Sequence, residues 1–215
     1  MTPAATPAHG LLLVLSAASG TGKTTVARQL LRECPRLVRS VSVTTRPPRP
    51  GERTGEAYVF VGDAEFDRMA AAGEFLEWAK VHMHRYGTPE AFVRREAASG
   101  NDVLMVIDVQ GGRAIKKKYP DALLVFLAPP TFDEMKGRLV KRASETDGET
   151  AVRLSNARLE IAAGREYDYI VENDAVPAAV ARICSIMNAA RAGAARMKPV
   201  LDRLLGDAPG SPDEK

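Results

Sequence analysis

Four stretches of the chain are apolar without a break, at residues 11–15, 103–107, 123–127 and 169–171. Short continuous runs of this kind suit strands buried on both faces, as in a parallel sheet covered by helices. Between them, apolar side chains recur at helical spacing: Val26, Leu30 and Leu31 ahead of Pro35, Ile115 in a short crossover, and Val180, Ile183, Cys184 and Met187 near the end. Strand and helix therefore alternate, which predicts an α/β fold with ligands at the carboxyl ends of the strands, the edge where Asp108 would sit. The texture changes from Arg39 to about Thr88. Val41/Val43 and Tyr58/Phe60 alternate around the turn-rich 46–51, so a small mixed or antiparallel inset is expected, with one helix through Phe66, Met69 and Ala70. A helix from about Pro89 to Ser99 leads back to the main sheet. Residues 132–165 read as helical and charged, with a polar break at 143–150 suited to the tip of a helical hairpin.

The first apolar run gives way to Ser16, Ala17, Ala18, Ser19, Gly20, Thr21, Gly22, Lys23, Thr24 and Thr25. Strand, small residues and helix follow in the order that wraps backbone N–H groups around a phosphate and adds the positive end of a helix. Lys23 would reach the β- and γ-phosphates of a nucleotide, and the Thr24 hydroxyl would ligate Mg²⁺. The spacing is that of a phosphate-binding loop, G-x-x-x-x-G-K-[ST], with Ala17 in the first glycine position. A secretory signal is the alternative, and it lacks a Lys or Arg ahead of Leu11.

Composition narrows the picture further. With 215 residues and 45% hydrophobic content the chain can bury a substantial core, and no apolar stretch approaches the roughly 18 residues of a bilayer helix. A formal net charge of +3 argues against wholesale nucleic-acid binding. Cys34 and Cys184 show no ligand or redox spacing, so reduced thiols in a cytoplasmic protein are expected. His82 and His84 read as surface residues rather than a metal site.

A second constellation supplies a partner for the loop. Arg46 and Arg49 lie three residues apart among Pro47, Pro48 and Pro50, so a stiff backbone would aim both guanidinium forks at one phosphate. Tyr58 and Tyr86 could donate further hydrogen bonds. The plainer alternative is a basic surface turn.

The run from Ser42 to Glu52, with Phe75-Leu76-Glu77-Trp78-Ala79, Tyr86-Gly87-Thr88 and Asp108-Val109-Gln110-Gly111, resembles the guanylate kinases. So do Pro129-Pro130, the stretch from Arg138 to Arg142, Arg153-Leu154 and the stretch from Ile170 to Asp174. The resemblance covers roughly residues 10–195. It implies a P-loop NTPase core at 10–38, 89–131 and 166–206, a GMP-binding inset at 39–88 and a helical lid at 132–165. Residues 1–9 and 207–215 are expected to be disordered. It also implies that ATP is held by 17–25 with Asn173 near the adenine, and Mg²⁺ by Thr24 and Asp108. Arg46, Arg49, Tyr58 and Tyr86, with Gly87 between the last of these and Thr88, would hold the GMP phosphate, while Ser42, Glu77 and Thr88 face the guanine. Lys23, Arg46, Arg138, Arg142 and Arg153 would carry the transfer of phosphate from ATP to GMP, with dGMP as a further acceptor.

Glu77 is where chemistry and resemblance meet. Guanine offers N1–H and N2–H₂ as adjacent donors, adenine an unprotonated N1, so an acceptor-only carboxylate pairs with the first and opposes the second. A solvated acid beside Trp78 is the alternative. Two departures stand out: Val106 where the family usually carries an acid, and Ala143 where it commonly has glycine. Val106 keeps open a kinase for another small phosphate ester, such as a ribose bisphosphate. A noncatalytic binding module is disfavoured by the intact Gly22, Lys23 and Thr24, and an ATPase or translocase by the lack of motor motifs. The charged lid also admits a reading as an exposed, salt-bridged helical pair.

Overall fold

A computed structural model describes residues 10–81, 83–141 and 147–206, without the side chains of residues 139–141, 147–153 and 206. The N-terminal segment, His82, Arg142, the first residues of the polar break and the 207–215 tail lie outside the described residues. The chain begins β1 (Leu12–Ala17), α1 (Lys23–Glu33), β2 (Leu37–Arg39), β3 (Ser42–Thr44), β4 (Tyr58–Phe60), α2 (Asp63–Ala71), β5 (Phe75–Val81) and β6 (His84–Pro89). It continues α3 (Glu90–Ala98), β7 (Asp102–Val106), α4 (Val109–Lys118), β8 (Leu123–Ala128), α5 (Phe132–Lys141), α6 (Asp147–Ala163), β9 (Tyr169–Glu172), α7 (Val176–Arg191) and α8 (Ala194–Gly206).

Five strands form a parallel sheet in the order β2-β7-β1-β8-β9. All six residues of β1 are buried, because the strand is central and covered on both faces. Its alternation divides the core: Leu11, Leu13, Leu15 and Ala17 pack with α1 and α7 through Val26, Leu30, Val180 and Ile183. Leu12 and Val14 pack on the opposite face with Val93, Ile115 and Phe126. Continuous apolar runs were the right signature for such strands. β2 was not anticipated, since three residues ending in Arg39 carry too little pattern; pairing of Leu37 with Asp102 and Arg39 with Leu104 makes it a strand.

The second sheet has the order β4-β3-β6-β5. β6 runs antiparallel to both β3 and β5. β3 and β4, however, are parallel, with Ser42 opposite Tyr58 and Thr44 opposite Phe60, so the sheet is mixed rather than purely antiparallel. The long proline-rich connection returns the chain to its starting end before β4 begins, and a hairpin would have required a short turn. Val43, Phe66 and Phe75 form this sheet's own small core. Among the described residues, no helix is long and apolar enough to cross a membrane.

Two long-range contacts tie the ends of the chain to the sheet. Asp102, 4% exposed, accepts from the Leu11 amide at 2.8 Å and from the Arg191 guanidinium of α7. The two cysteines, 150 residues apart in sequence, meet where α1 ends against α7, with sulfurs 3.2 Å apart. Both are free thiols, and burial, then the neighbouring Cys34, pushes the Cys184 thiol upward. Sequence spacing alone gave no sign of this pairing.

Replacing Asp102 by Ala strands a buried amide and frees Arg191, which is half exposed. The expected cost is about 2–4 kcal/mol in urea-induced unfolding. Substrate KM values, measured where the variant is folded, should stay unchanged.

Candidate active site

The turn after β1 is shaped by glycine at two points, Gly20 at φ 85° and Gly22 at φ 101°, a region that side chains with a Cβ resist. α1 then starts at Lys23 with no side-chain cap and no acid in its first turn, so its leading amides remain available to an anion. Ala17 fits in place of glycine because its methyl belongs to the buried cluster around β1 and not to the loop's inner surface. Ala18 is buried as well, and Thr24 and Thr25 are exposed. The Lys23 ammonium donates to the Ile107 carbonyl at 3.4 Å, beside the Asp108 carboxylate. Burial lowers its pKa from the ordinary value, against the pull of Glu160 and Asp108.

Asn173, expected beside an adenine, packs against the phosphate loop. It is 4% exposed, and its side-chain amide donates to the Thr21 carbonyl at 2.7 Å. The same nitrogen would lie 2.8 Å from a Cβ at Gly22, so Asn173 braces the loop from beneath.

Asp108 caps α4 immediately after the strand end. One carboxylate oxygen accepts from the Gly111 amide at 2.9 Å, and the other from Gln110 at 3.2 Å. Val106 is buried in the core cluster with Leu15 and Leu104, so apolar packing stands where the second acid was expected.

On the inset sheet, Glu77 of β5 pairs with Thr88 of β6, and the threonine hydroxyl donates to its carboxylate at 2.6 Å. Ser42 is next to Val43, which pairs with Gly87, so Ser42, Thr88 and Glu77 form one row across three strands. Their exposures are 5%, 0% and 8%. Gly111 makes room for this acid, since a Cβ there would lie 2.8 Å from its oxygen. Burial pushes the Glu77 carboxyl up to about 7, reinforced by Asp108 and opposed by the Thr88 hydrogen bond.

Arg46 is 8% exposed and lies over the Tyr58 and Phe60 rings at 5.4 and 5.6 Å. Tyr86 meets Tyr58 edge to face at 5.9 Å. Arg46 Nη2 donates to both Glu52 oxygens at 2.9 Å and Nη1 to the Pro47 carbonyl at 2.8 Å, while Glu52 also accepts from the Arg49 amide at 2.8 Å. Burial works against the Arg46 cation, and Glu52 and Tyr86 together more than offset it, so its pKa is raised. The Arg49 side chain is exposed.

α5 and α6 reach the loop through Ala18, which packs with Met135 and Ala157. Glu160 of α6 accepts from the Ser19 amide at 3.1 Å, placing a carboxylate on a loop amide suited to phosphate. Arg138 is exposed and pairs with Glu134 one turn earlier at 3.2 Å. Arg142 is outside the described residues, and Arg153 is described only as backbone within α6. A cleft of about 670 Å³ opens among Val81, Asp108, Gln110, Arg113, Asn156 and Glu160.

Residues 9–190 match the family model described as guanylate kinase. The chain belongs to the guanylate kinase family. It is 40% identical over 201 residues to a guanylate kinase of Thermotoga maritima, covering 94% of this chain and 97% of the relative. It is 49% identical over 179 residues to one from Nocardia farcinica, covering 82% and 93%. The crystal structure of guanylate kinase from Anaplasma phagocytophilum superposes with a TM-score of 0.74 at 33% identity, covering 88% of this chain and 90% of that one.

Two groups of this family member escaped the sequence reading. Glu160 sits in a charged helix with no local signal that it would reach Ser19, 141 residues away. Arg39 ends a strand too short to detect.

The Glu77 shift has a stability consequence in the free protein. Its folded pKa of about 7 lies above the ordinary carboxyl value of 4.5, so the contribution is complete below 4.5 and lost as pH rises through 7. Glu77→Gln should therefore exceed wild type in unfolding free energy at pH 8 by about 1–3 kcal/mol, with the gap closing near pH 5. Paired denaturant titrations at the two pH values check this.

Proposed function

We propose that this chain transfers the γ-phosphoryl group of ATP to GMP, and also to dGMP, giving ADP and GDP. The observation that carries this reading is Glu77: a buried, acceptor-only carboxylate held by Thr88 in the row that continues to Ser42. Guanine supplies the two donors that such a group needs, and adenine does not. Binding GMP would also return the carboxylate to its ionised form, because a charge-assisted pair replaces lost solvent.

The remaining groups fall into place around two anions. ATP phosphates lie along the amides of 18–25, with Lys23 at the β- and γ-phosphates and Asn173 as brace. The GMP phosphate exchanges with Glu52 for the Arg46 fork, with Arg49, Tyr58 and Tyr86 completing the grip and Gly87 keeping the strand close. Phosphoryl transfer requires chiefly alignment and neutralisation of charge, so no covalent nucleophile is needed. Arg138, Arg142 and Arg153 approach the transferring group as the lid closes and water is excluded.

Among the described residues, no group of three or more His, Cys, Asp or Glu side chains could hold a metal. That donor set fits Mg²⁺ bound mainly by nucleotide phosphates and water, with the Thr24 hydroxyl as protein ligand and Asp108 reaching it through water. When bound, the ion neutralises phosphate charge.

A kinase for another small phosphate ester is the second reading, and Val106 favours it, since the second acid beside the base is absent. ADP production with GMP, dGMP, AMP and a sugar phosphate at equal concentration separates the two, and comparable rates with AMP would exclude the guanine assignment. Lys23→Ala should lower turnover at least about 100-fold while GMP still binds. The KM for GMP should rise more steeply as pH falls from 8 to 6 in wild type than in Glu77→Gln, where only protonation of the GMP phosphate remains, as steady-state kinetics at both pH values would show.

A further inference from the structure

Arg39 is the last residue of β2, at the carboxyl edge of the parallel sheet, with its backbone in the ladder opposite Leu104. The next amide, Ser40, donates to the Leu104 carbonyl at 2.9 Å, so the position of Arg39 is fixed just before the chain enters the inset. Its electrostatic neighbours are Arg28 and Lys23 on α1 and Tyr58 on β4. It is thus within electrostatic reach of both the lysine of the phosphate loop and Tyr58 of the Arg46 site.

Among the described residues, Arg39 combines a half-buried position with the lack of an acid partner. Arg46 has Glu52, Arg85 has Asp63 and Asp67, Arg113 has Glu166, and Arg182 has Asp174. Among the described residues the Arg39 guanidinium has no hydrogen bond or ion pair, and its Nε is sealed from solvent without an acceptor. Burial holds the guanidinium below its ordinary pKa, with Tyr58 opposing the shift and Arg28 adding to it. A cation in this condition, flanked by two more, is unfavourable in the free protein and becomes favourable when an anion arrives.

We propose that Arg39 is a further phosphate-binding residue of the reaction, touching the phosphoryl oxygens that lie between the Lys23 and Tyr58 sites. The inference rests on the GMP kinase reading and adds a residue to it. In the transfer, a GMP phosphate oxygen forms a bond to the γ-phosphorus, and the bond from that phosphorus to the β-bridging oxygen breaks, its electron pair leaving with ADP. Arg39 supplies positive charge and directed N–H groups to the equatorial oxygens and exchanges no proton, since a guanidinium stays charged. Its planar fork suits three oxygens spread around a planar group better than an ammonium would.

The test compares Arg39→Leu, Arg39→Lys and Arg39→Ala with wild type in ADP release and thermal unfolding. Arg39→Leu should lose about 100-fold or more in kcat, with the KM for ATP changed less than about threefold. Its melting temperature without nucleotides should equal or exceed that of wild type, because a half-buried, unpaired charge has gone. Arg39→Lys should recover part of the rate, and millimolar guanidinium should raise the rate of Arg39→Ala but not that of wild type. A kcat within threefold of wild type in Arg39→Leu would overturn the proposal, and so would a rate loss accompanied by a lowered melting temperature and no guanidinium rescue. Wild-type enzyme inactive on GMP would instead overturn the underlying reading, and with it the assignment of Arg39 to this reaction.

Discussion

The parallel ladder that holds β1 between β7 and β8 is the interaction on which the cleft depends. Leu15 is fixed opposite Val106, and Ala17 opposite Leu127. The loop after β1 consequently emerges beside the end of β7, where Ser16 donates to the Asp108 carbonyl and Lys23 to that of Ile107. These groups are more than 80 residues apart in sequence, and main-chain hydrogen bonds alone put them within reach of each other. A parallel sheet places all its strand ends on one edge, so catalytic groups from distant segments meet there without long loops.

The free molecule satisfies much of its site with its own carboxylates. Glu52 holds Nη2 of Arg46, and Glu160 sits on the Ser19 amide. On the GMP-kinase proposal each occupies a place that a phosphate oxygen would take, so substrate binding would exchange one anion for another and not bury a bare charge. Glu77 is the opposite case, an acid buried ahead of its partner and therefore inclined to hold a proton. Arg39 is its cationic counterpart, with no acid of its own among the described residues. Active sites commonly carry such unfavourable groups, and the surrounding core holds them in place. Here the brace is physical: Gly111 and Thr88 confine Glu77, and the β2 ladder confines Arg39.

Much of this was legible from residue order. Continuous apolar runs mark strands covered on both faces, since each side chain in such a strand is buried whichever way it points. The loop at 17–25 was visible because its chemistry is local: small residues, a lysine and a helix start must be adjacent to surround a phosphate. The proline-stiffened Arg46 and Arg49 pair was visible for the same reason.

Properties that depend on distant segments were not. Nothing near Asn173 says that it holds the Thr21 carbonyl, nothing near Cys34 says that it touches Cys184, and nothing near Glu160 points to Ser19. The parallel pairing of β3 with β4 likewise follows from a crossover, not from the alternation of either strand. The order of residues determined which segments become strand, loop or helix and which side chains have the chemistry to hold phosphate and guanine. Tertiary structure alone decided which of those charges are paired, because a carboxylate's partner is set by how helices and strands stack, and that geometry is written in the core packing of the whole chain.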